Sequence, residues 1–341
     1  MKLTIPQKIK KGDAVGFISP SAGLAPFAIH RIERAKKLFE ELGYKVKIAK
    51  NALKNNGYVS ASIQDRINDI HEMFQDLEVK LIIATIGGNH SNQLLKYLNY
   101  GLIKNNPKIF IGYSDNTVLH YALQSQANLA TYYGPCVLTQ FGEFPKILAY
   151  TLKYFNYAVA GEHKVENLEI KPSKFWTEEF LDWFKKNDEL RARKLEKNNG
   201  YEWLINGKAQ GELLGGAIPS INHLAGTKYW RDPSGKIFFI DIPESNSPLE
   251  GLSLENVDSY LADLDNMELF DDINGLIIGR PYHYSEKQII ELKKIILKYA
   301  GGKKYPILYN VNMGHTDPIA TVRYGSIIEL DSTHNSLRIT S

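Results

Sequence analysis

The stretch from Lys108 to Thr117 has the clearest potential for chemistry. An apolar run ends there in Gly112, Tyr113 and Ser114, and a helical pattern begins at Thr117. A strand, a sharp turn and a helix in this order lift one hydroxyl above the carboxyl edge of a parallel sheet. The unpaired N–H groups at the start of the helix lie beside that hydroxyl and can stabilise an oxyanion. Ser114 is therefore the candidate nucleophile.

The same stretch also has a simpler interpretation. A full hydrolase turn would carry glycine where Asn116 stands, although asparagine also tolerates a left-handed backbone. Serine and aspartate commonly cap helices, so Ser114 or Asp115 would then serve only the first helical turn. Taken alone, the local pattern favours capping over catalysis.

A serine nucleophile needs a base, and the base needs a carboxylate that fixes its tautomer. Among the nine histidines, His315 follows an apolar strand and has a glycine directly beside it. His90, just after a glycine pair, is the second candidate base. Asp241 and Glu244 follow another apolar strand and are the candidate acids. The chain order is then serine, acid, histidine.

The elements that must position these side chains alternate between strands and helices. Strands are predicted over 14–19, 45–49, 79–85, 108–111, 130–133, 236–240, 275–279 and 306–311, and helices over 29–42, 63–74, 117–123, 254–269 and 285–299. This alternation predicts an α/β fold whose N-terminal part is a doubly wound, mostly parallel sheet.

A glycine pair, Gly87 and Gly88, follows the predicted strand 79–85. Glycines at the carboxyl end of a parallel strand let backbone N–H groups approach a ligand closely. A tight turn is the alternative, and the pair by itself favours the turn. Its place beside the strand that delivers Ser114 supports a binding role, because such sheets bind ligands at their carboxyl edge.

With 341 residues, the chain is long enough for two domains. We predict an N-terminal domain over 1–160, a connector with helical content over 161–208 and a C-terminal α/β domain over 209–341. The connector has a charged run and carries Trp176, Trp183 and Trp203. A charged run is usually a solvated face, but aromatic side chains between two domains can also line a cleft.

The composition excludes several classes of protein. Hydrophobic residues at 43% and charged residues at 23% are ordinary globular values. The net charge is +3, and the sequence has no block of basic residues long enough to bind nucleic acid. The absence of a long apolar stretch predicts a cytoplasmic protein with no membrane partner. The single Cys136 excludes an internal disulfide and is expected to be an inert, buried thiol. No zinc spacing or P-loop is present, so we expect neither a metal nor a cofactor.

Several short stretches together resemble the LD-carboxypeptidase family of serine peptidases, and in particular its branch of microcin C self-immunity peptidases. They are Ile18-Ser19-Pro20-Ser21, Gly112-Tyr113-Ser114-Asp115, Gly134-Pro135, Leu214-Gly215-Gly216, Leu224-Ala225-Gly226-Thr227, the strand ending at Asp241, Ile278-Gly279-Arg280-Pro281 and Gly314-His315-Thr316. None is decisive alone, but their order along nearly the whole chain outweighs the local preference for capping.

The resemblance implies an active site in a cleft between the two domains, and usually a homodimer. It implies that Ser114 is the nucleophile, His315 the general base, and the backbone N–H groups of Gly88 and Asp115 the oxyanion hole, with Gly87 among the substrate-binding residues. In the microcin branch, a connector tryptophan stacks on the nucleobase of the substrate. Trp183 fits that place best; Trp176 is the second candidate, and a packed connector residue is the alternative.

Two residues depart from the family pattern. The third triad member is a glutamate in the family, whereas this chain has Asp241, whose shorter arm requires the loop to lie closer by about one C–C bond, or about 1.5 Å. Glu244 is the alternative acid. Asparagine often follows the second glycine pair in the family, whereas this chain has Ala217, which we count among the substrate-binding positions.

The sequence therefore predicts a metal-independent serine peptidase that cleaves an amide bond beside a carboxylate or acidic group. The substrate is either a peptidyl or aminoacyl nucleotide of the microcin C type or a murein tetrapeptide with an L,D bond. The tryptophans of the connector favour the nucleotide. A non-catalytic peptide-binding protein is the rival from another class, and a dinucleotide-dependent oxidoreductase ranks last because the first strand lacks the glycine fingerprint.

Overall fold

The computed structural model describes residues 3–160 and 167–341. The first residues of the predicted connector, 161–166, with His163 among them, lie outside the described residues.

Sixteen strands and nine α-helices are present in the described part of the chain. The strands are β1 Ala14–Ile18, β2 Lys45–Ile48, β3 Val79–Ala84, β4 Ile109–Gly112, β5 Tyr132–Tyr133, β6 Leu168–Glu169, β7 Phe175–Trp176, β8 Glu196–Lys197, β9 Glu202–Ile205, β10 Lys208–Ala217, β11 Ile237–Asp241, β12 Gly275–Gly279, β13 Ile307–Val311, β14 Val322–Arg323, β15 Ile327–Asp331 and β16 Ser336–Ile339. The helices are α1 Ile29–Glu41, α2 Ile63–Gln75, α3 Tyr100–Asn105, α4 Thr117–Ala127, α5 Ala149–Val159, α6 Ile218–Asn222, α7 Leu254–Asn266, α8 Leu269–Asp272 and α9 Glu286–Ala300.

The N-terminal sheet has six strands in the order β14-β5-β4-β3-β1-β2. Strands β1 to β5 pair in parallel, and β14 joins the edge in the antiparallel sense. Successive side chains of a strand point to opposite faces of the sheet. Accordingly, Leu81 and Ile83 pack in one apolar cluster with α1 and α5, whereas Ile82 and Ala84 pack in another with α2, α3 and α4. Helices on both faces confirm the predicted doubly wound sheet.

The second sheet has eight strands in the order β6-β16-β15-β10-β11-β12-β13-β9. Its centre, β10 to β13, is parallel. Because carboxyl ends of parallel strands share one edge, Ala217 and Asp241 end side by side in the paired strands β10 and β11. The predicted strands over 236–240, 275–279 and 306–311 are confirmed within one or two residues.

The connector prediction is wrong in its helical content. Its described part contains four strands, β6 to β9, and one 3₁₀ turn at Asn187–Glu189. Strands β6 and β9 lie at the two edges of the eight-stranded sheet. Three of the four, β6, β7 and β8, have only two residues and are too short to show a period of two, which is why the sequence pattern missed them.

The two halves of the molecule are joined by more than the connector. Strand β14, late in the chain, pairs with β5 of the N-terminal sheet, and one apolar cluster runs from α2 and α4 into the strands β10 to β13. The division at 160 and 208 stays a prediction. Across the residues described, no helix combines the length and apolar character needed to span a membrane.

Candidate active site

Ser114 follows β4 in a strained turn. Its φ is 62°, in the left-handed region that non-glycine residues rarely adopt. The neighbouring strand β3 leads to Gly87, where a Cβ would lie 2.8 Å from Ser114 Cβ and 3.0 Å from its Oγ. Because Gly87 lacks a side chain, the glycine loop can pack directly against the serine hydroxyl.

The capping interpretation is wrong for both residues. Helix α4 has Asn116 before its first turn, and no side chain caps it. The side chain of Asp115 instead accepts hydrogen bonds from the backbone N–H groups of His90 and Ser91, at 3.0 and 2.8 Å. Asp115 therefore ties the nucleophile turn to the loop after β3, and the hydroxyl of Ser114 is not used by the helix.

The predicted oxyanion donors lie in these two loops. Gly88 has a φ of +140°, and a Cβ there would lie 3.0 Å from the backbone nitrogen of Ala22. The loop after β1 thus packs closely against the glycine loop, and Ala22 N–H donates to the carbonyl of Gly87 at 3.1 Å. This packing fixes the backbone of the loop, as preorganised donors require.

His315 reaches the site from β13, although β12 lies between β13 and the acid-bearing β11. The chain after β13 crosses the end of β12, where a side chain on Gly279 would overlap the carbonyl oxygen of Met313. The N–H of Arg280 donates to the carbonyl of Val311 at 2.9 Å and fixes this crossing. Glycine at 279 therefore allows the histidine loop to reach the acid.

His315 and Asp241 form a buried pair. Nδ1 of His315 lies 2.7 Å from Oδ2 of Asp241, with the histidine 8% exposed and the aspartate fully buried. A Cβ on Gly314, whose φ is +136°, would overlap the Asp241 carboxylate. The loop thus lies directly on the carboxylate, so that His315 is within reach of the short aspartate side chain.

Tyr133, at the end of β5, joins the acid to the nucleophile turn, a contact that we did not predict. Its hydroxyl donates to Oδ2 of Asp241 and accepts from the backbone N–H of Ser114 at 3.3 Å. Burial, and then the carboxylate of Asp241, raise the pKa of Tyr133 well above its usual value, so the hydroxyl keeps its proton. Its position at the end of a predicted strand beside β4 was the available signal.

Glu244 approaches the opposite side of the imidazole. Its Oε2 lies 3.5 Å from Nε2 of His315, the nitrogen that a serine base must keep free. Burial of His315 disfavours the imidazolium, but the carboxylates of Asp241 and Glu244 outweigh it and raise the pKa of His315 to about 9. With this pKa, His315 is mainly protonated at neutral pH.

Two cavities meet at Ser114. The first, of about 340 Å³, is lined by Ser114, Gly87, His315 and part of the connector. The second, of about 470 Å³, is lined by Ser114, Ala217 and the loop that carries Glu244. A substrate whose scissile carbonyl lies at Ser114 would therefore extend into both.

The first cavity has an aromatic wall made by Phe180, Trp183 and Phe184. The rings of Phe180 and Trp183 lie 5.5 Å apart, and the guanidinium of Arg31 lies 4.4 Å from the centre of the Trp183 ring. Trp176, the second tryptophan candidate, does not line either of these cavities and packs under Arg280 at 4.8 Å. Of the two tryptophan candidates, Trp183 therefore lines a cavity together with Ser114, and Trp176 does not.

A buried charge cluster that the sequence analysis missed also lines the first cavity. One nitrogen of Arg193, Nη2, lies 2.6 Å from Glu143 Oε2 and 2.5 Å from Asp317 Oδ2. Burial opposes the charge of Arg193, but the two carboxylates outweigh it and raise its pKa. The cluster ties the connector to the histidine loop, and the closeness of Asp317 to His315 in sequence was its one visible signal.

Ala217 and His90 occupy different environments. Ala217 lines the second cavity, and its backbone N–H donates to the hydroxyl of Thr117 at 3.1 Å, which links the C-terminal sheet to α4. The ring of His90 lies 4.6 Å from that of Tyr58, and His90 lines neither cavity. Ser114 and His315 thus line the same cavity, whereas the second candidate base lies outside it.

Comparison with protein families gives two matches along the chain. The LD-carboxypeptidase N-terminal domain matches residues 15–134, and the LD-carboxypeptidase C-terminal domain matches residues 210–330. The first match contains Ser114, and the second contains Asp241 and His315.

Curated relatives match the chain almost from end to end. The putative carboxypeptidase YocD of Bacillus subtilis is 34% identical, over 97% of both chains. The microcin C7 self-immunity protein MccF of Escherichia coli is 29% identical, over 96% of this chain and 93% of its own. A probable murein peptide carboxypeptidase of Bacillus subtilis is 30% identical, over 94% and 89%.

Solved structures show the same architecture. An MccF-like protein from Bacillus anthracis is 33% identical and superposes with a TM-score of 0.89, over 99% of this chain and 100% of its own. MccF in complex with aspartyl sulfamoyl adenosine is 27% identical, with a TM-score of 0.89 over 99% and 98%.

Proposed function

This chain belongs to the LD-carboxypeptidase family of serine peptidases, and we propose that it hydrolyses an amide bond in a peptidyl or aminoacyl nucleotide of the microcin C type. The observation that carries this substrate is the aromatic wall with Trp183, which lies in the cavity next to Ser114. Aromatic rings bind nucleobases by stacking. The ligand named in the MccF complex, aspartyl sulfamoyl adenosine, is of this chemical class.

The proposed reaction begins with attack of Ser114 Oγ on the acyl carbon. His315 Nε2 takes the hydroxyl proton as the Oγ–C bond forms, and Asp241 at Nδ1 stabilises the imidazolium. The backbone N–H groups of Gly88 and Asp115 donate to the oxyanion. The C–N bond then breaks, and His315 returns the proton to the leaving nitrogen.

Water completes the cycle. It attacks the acyl-serine carbon and gives a proton to His315, after which the C–Oγ bond breaks and Ser114 recovers its proton. The products are an amino acid or peptide with a free carboxylate and the released nucleotide amide. The proposal needs neither a metal nor a cofactor at any step.

The binding-protein alternative rested on the shorter arm of Asp241. The 2.7 Å distance between Asp241 and His315 supports catalysis instead, because the carboxylate lies where an orienting acid is needed. The alternative acid, Glu244, lies 3.5 Å from the other ring nitrogen of His315, Nε2. We therefore propose Asp241 as the third triad member.

A second candidate function is cleavage of a murein tetrapeptide between its L and D residues. The relative named as a probable murein peptide carboxypeptidase favours it. A murein peptide has no nucleobase, so the aromatic wall would have no stacking partner there. The two functions therefore differ in what the first cavity holds.

Mass-detected hydrolysis of both substrates, side by side, tests the proposal. We expect an aminoacyl-sulfamoyl-adenosine to release its amino acid and the tetrapeptide to stay intact, with no turnover by Ser114→Ala. Release of D-alanine from the tetrapeptide alone would overturn the nucleotide assignment. No turnover of either substrate, with wild type equal to Ser114→Ala, would favour the binding protein.

We also propose that the protein acts in the cytoplasm and that it is a homodimer, as the family resemblance implies. Light scattering at several protein concentrations tests the dimer. A mass of one chain at all concentrations would contradict it.

A further inference from the structure

The second cavity has fewer charged groups than the first, which is lined by Arg31, Arg193 and several carboxylates. It is lined by neutral polar side chains, among them Asn89, Asn92 and Asn256, by His223, and by Glu244, which also lines the first cavity. Among the described residues that line it, none is lysine or arginine. The fixed charge beside Ser114 on this side is therefore negative.

The positions of Ser114 and Trp183 indicate which part of the substrate this cavity holds. The scissile carbonyl must lie at Ser114, and the two cavities extend from there on either side. On the proposed function, the nucleotide side enters the first cavity and stacks on Trp183. The acyl side, which carries the amino acid side chain and its amino group, then enters the second cavity.

We propose that Glu244 selects substrates by the charge of the acyl residue, favouring a cationic residue such as lysine and rejecting an acidic one. This inference rests on the proposed function and specifies its substrate class. An ammonium group in the second cavity pairs with Glu244, whereas a carboxylate there meets a like charge, and none of the described residues that line the cavity is a lysine or arginine that could offset it.

Glu244 is placed to act on the substrate and not only on the fold. Its side chain is 39% exposed, and among the residues that the structure describes its carboxylate forms an ion pair only with His315, at 3.5 Å. The loop is held by other groups, since Ser245 N–H donates to the Glu250 carbonyl at 2.8 Å. A substrate ammonium that draws Glu244 away from Nε2 would also leave that nitrogen free for Ser114.

The test compares kcat/KM for lysyl-, alanyl- and glutamyl-sulfamoyl-adenosine at one pH, 8.5, close to the pKa of about 9 of His315, so that the protonation of the base affects all three substrates alike. We expect the wild type to prefer the lysyl over the glutamyl substrate by at least about tenfold, with alanyl between them. Glu244→Gln is expected to reduce this ratio to near one. Glu250→Gln, which removes a charge from the same loop outside the cavity, is expected to keep it.

A binding measurement separates this inference from the proposed function. Calorimetry with Ser114→Ala measures the Kd of each compound without turnover. A lysyl preference in Kd with no hydrolysis by the wild type would leave the inference standing and overturn the function. Hydrolysis of all three compounds at equal rates, or a glutamyl preference, would overturn the inference and leave the function standing.

Discussion

The nucleophile half and the histidine half of the site are held in different ways. The nucleophile half depends on backbone geometry: Ser114 has a left-handed φ, and Gly87 packs against its side chain. The histidine half depends on charge, because His315 lies between the carboxylates of Asp241 and Glu244. Both halves contain a glycine that allows a close approach. Gly87 packs against the side chain of Ser114, whereas Gly314 lets the histidine loop approach the carboxylate of Asp241.

This difference indicates which half is sensitive to pH and to conservative substitution. Backbone strain does not titrate, so the Ser114 turn should hold its geometry across the pH range in which the protein folds. The pKa of His315 is set by its carboxylate neighbours, so its charge changes when any of them changes. The predictions below probe the two halves separately.

The largest effect is expected for Asp241→Asn. An amide cannot stabilise the imidazolium and favours the wrong tautomer, so we expect kcat to fall by about 10³- to 10⁴-fold. Steady-state hydrolysis of an aminoacyl-sulfamoyl-adenosine measures it. Asp263→Asn, at an exposed position of α7, is the matched control. A loss of less than about tenfold would transfer the orienting role to Glu244.

Gly314→Ala tests whether the histidine loop needs its close approach. The new Cβ would overlap the Asp241 carboxylate in a backbone conformation that favours glycine. Displacing His315 by about 1 Å should lower kcat by about 100-fold, with a loss of about 1–3 kcal/mol in the free energy of unfolding.

Gly302→Ala is the control for that variant, because no heavy atom lies within 4 Å of a Cβ there. We expect its activity to be unchanged. Thermal melts of both variants measure the loss of stability, and steady-state kinetics measure the change in kcat. Full activity in Gly314→Ala would mean that the loop can adapt to the new side chain and that the histidine half does not depend on this close approach.

Trp183→Ala probes the aromatic wall next to the nucleophile half. Loss of stacking on a base costs about 1–3 kcal/mol, so KM for the nucleotide substrate should rise by about 5- to 150-fold. Trp176→Ala is the comparison, since Trp176 packs under Arg280 outside both cavities. Equal effects of the two variants, or none from either, would remove the argument for a nucleobase.

The smallest effect is a shift in pH dependence in Glu244→Gln. A general base must be neutral, so kcat/KM should rise with pH through the pKa of His315, about 9 in the wild type. Removing one nearby carboxylate lowers that pKa, because the imidazolium loses a stabilising charge. The rising limb should therefore move to lower pH, measured with the alanyl substrate. A limb that stays in place would show that Glu244 does not act on His315.

The nucleophile half could be predicted from the sequence because its signals are local. A strand, a Gly-x-Ser turn and a helix follow one another, and a glycine pair ends the neighbouring strand. Each feature is a preference of the backbone itself. The structure has Ser114 and Gly87 side by side, as that pattern indicates.

The histidine half could be predicted only in part. His315 and Asp241 were identified as strand-end residues, but their contact depends on the chain crossing the end of β12 at Gly279, which no local pattern reveals. Tyr133 and Arg193 were missed because their partners are distant in sequence. The connector strands were missed because they are stabilised by pairing and not by their own periodicity.

The most direct test of the central claim is the intact mass of the protein, quenched during turnover of lysyl-sulfamoyl-adenosine. The account predicts an acyl adduct on Ser114 and release of lysine in the wild type and in Ser125→Ala, a control serine on α4. It predicts neither in Ser114→Ala. Lysine release by Ser114→Ala at the wild-type rate would contradict the account, because hydrolysis would then proceed without the serine at the junction of the two cavities.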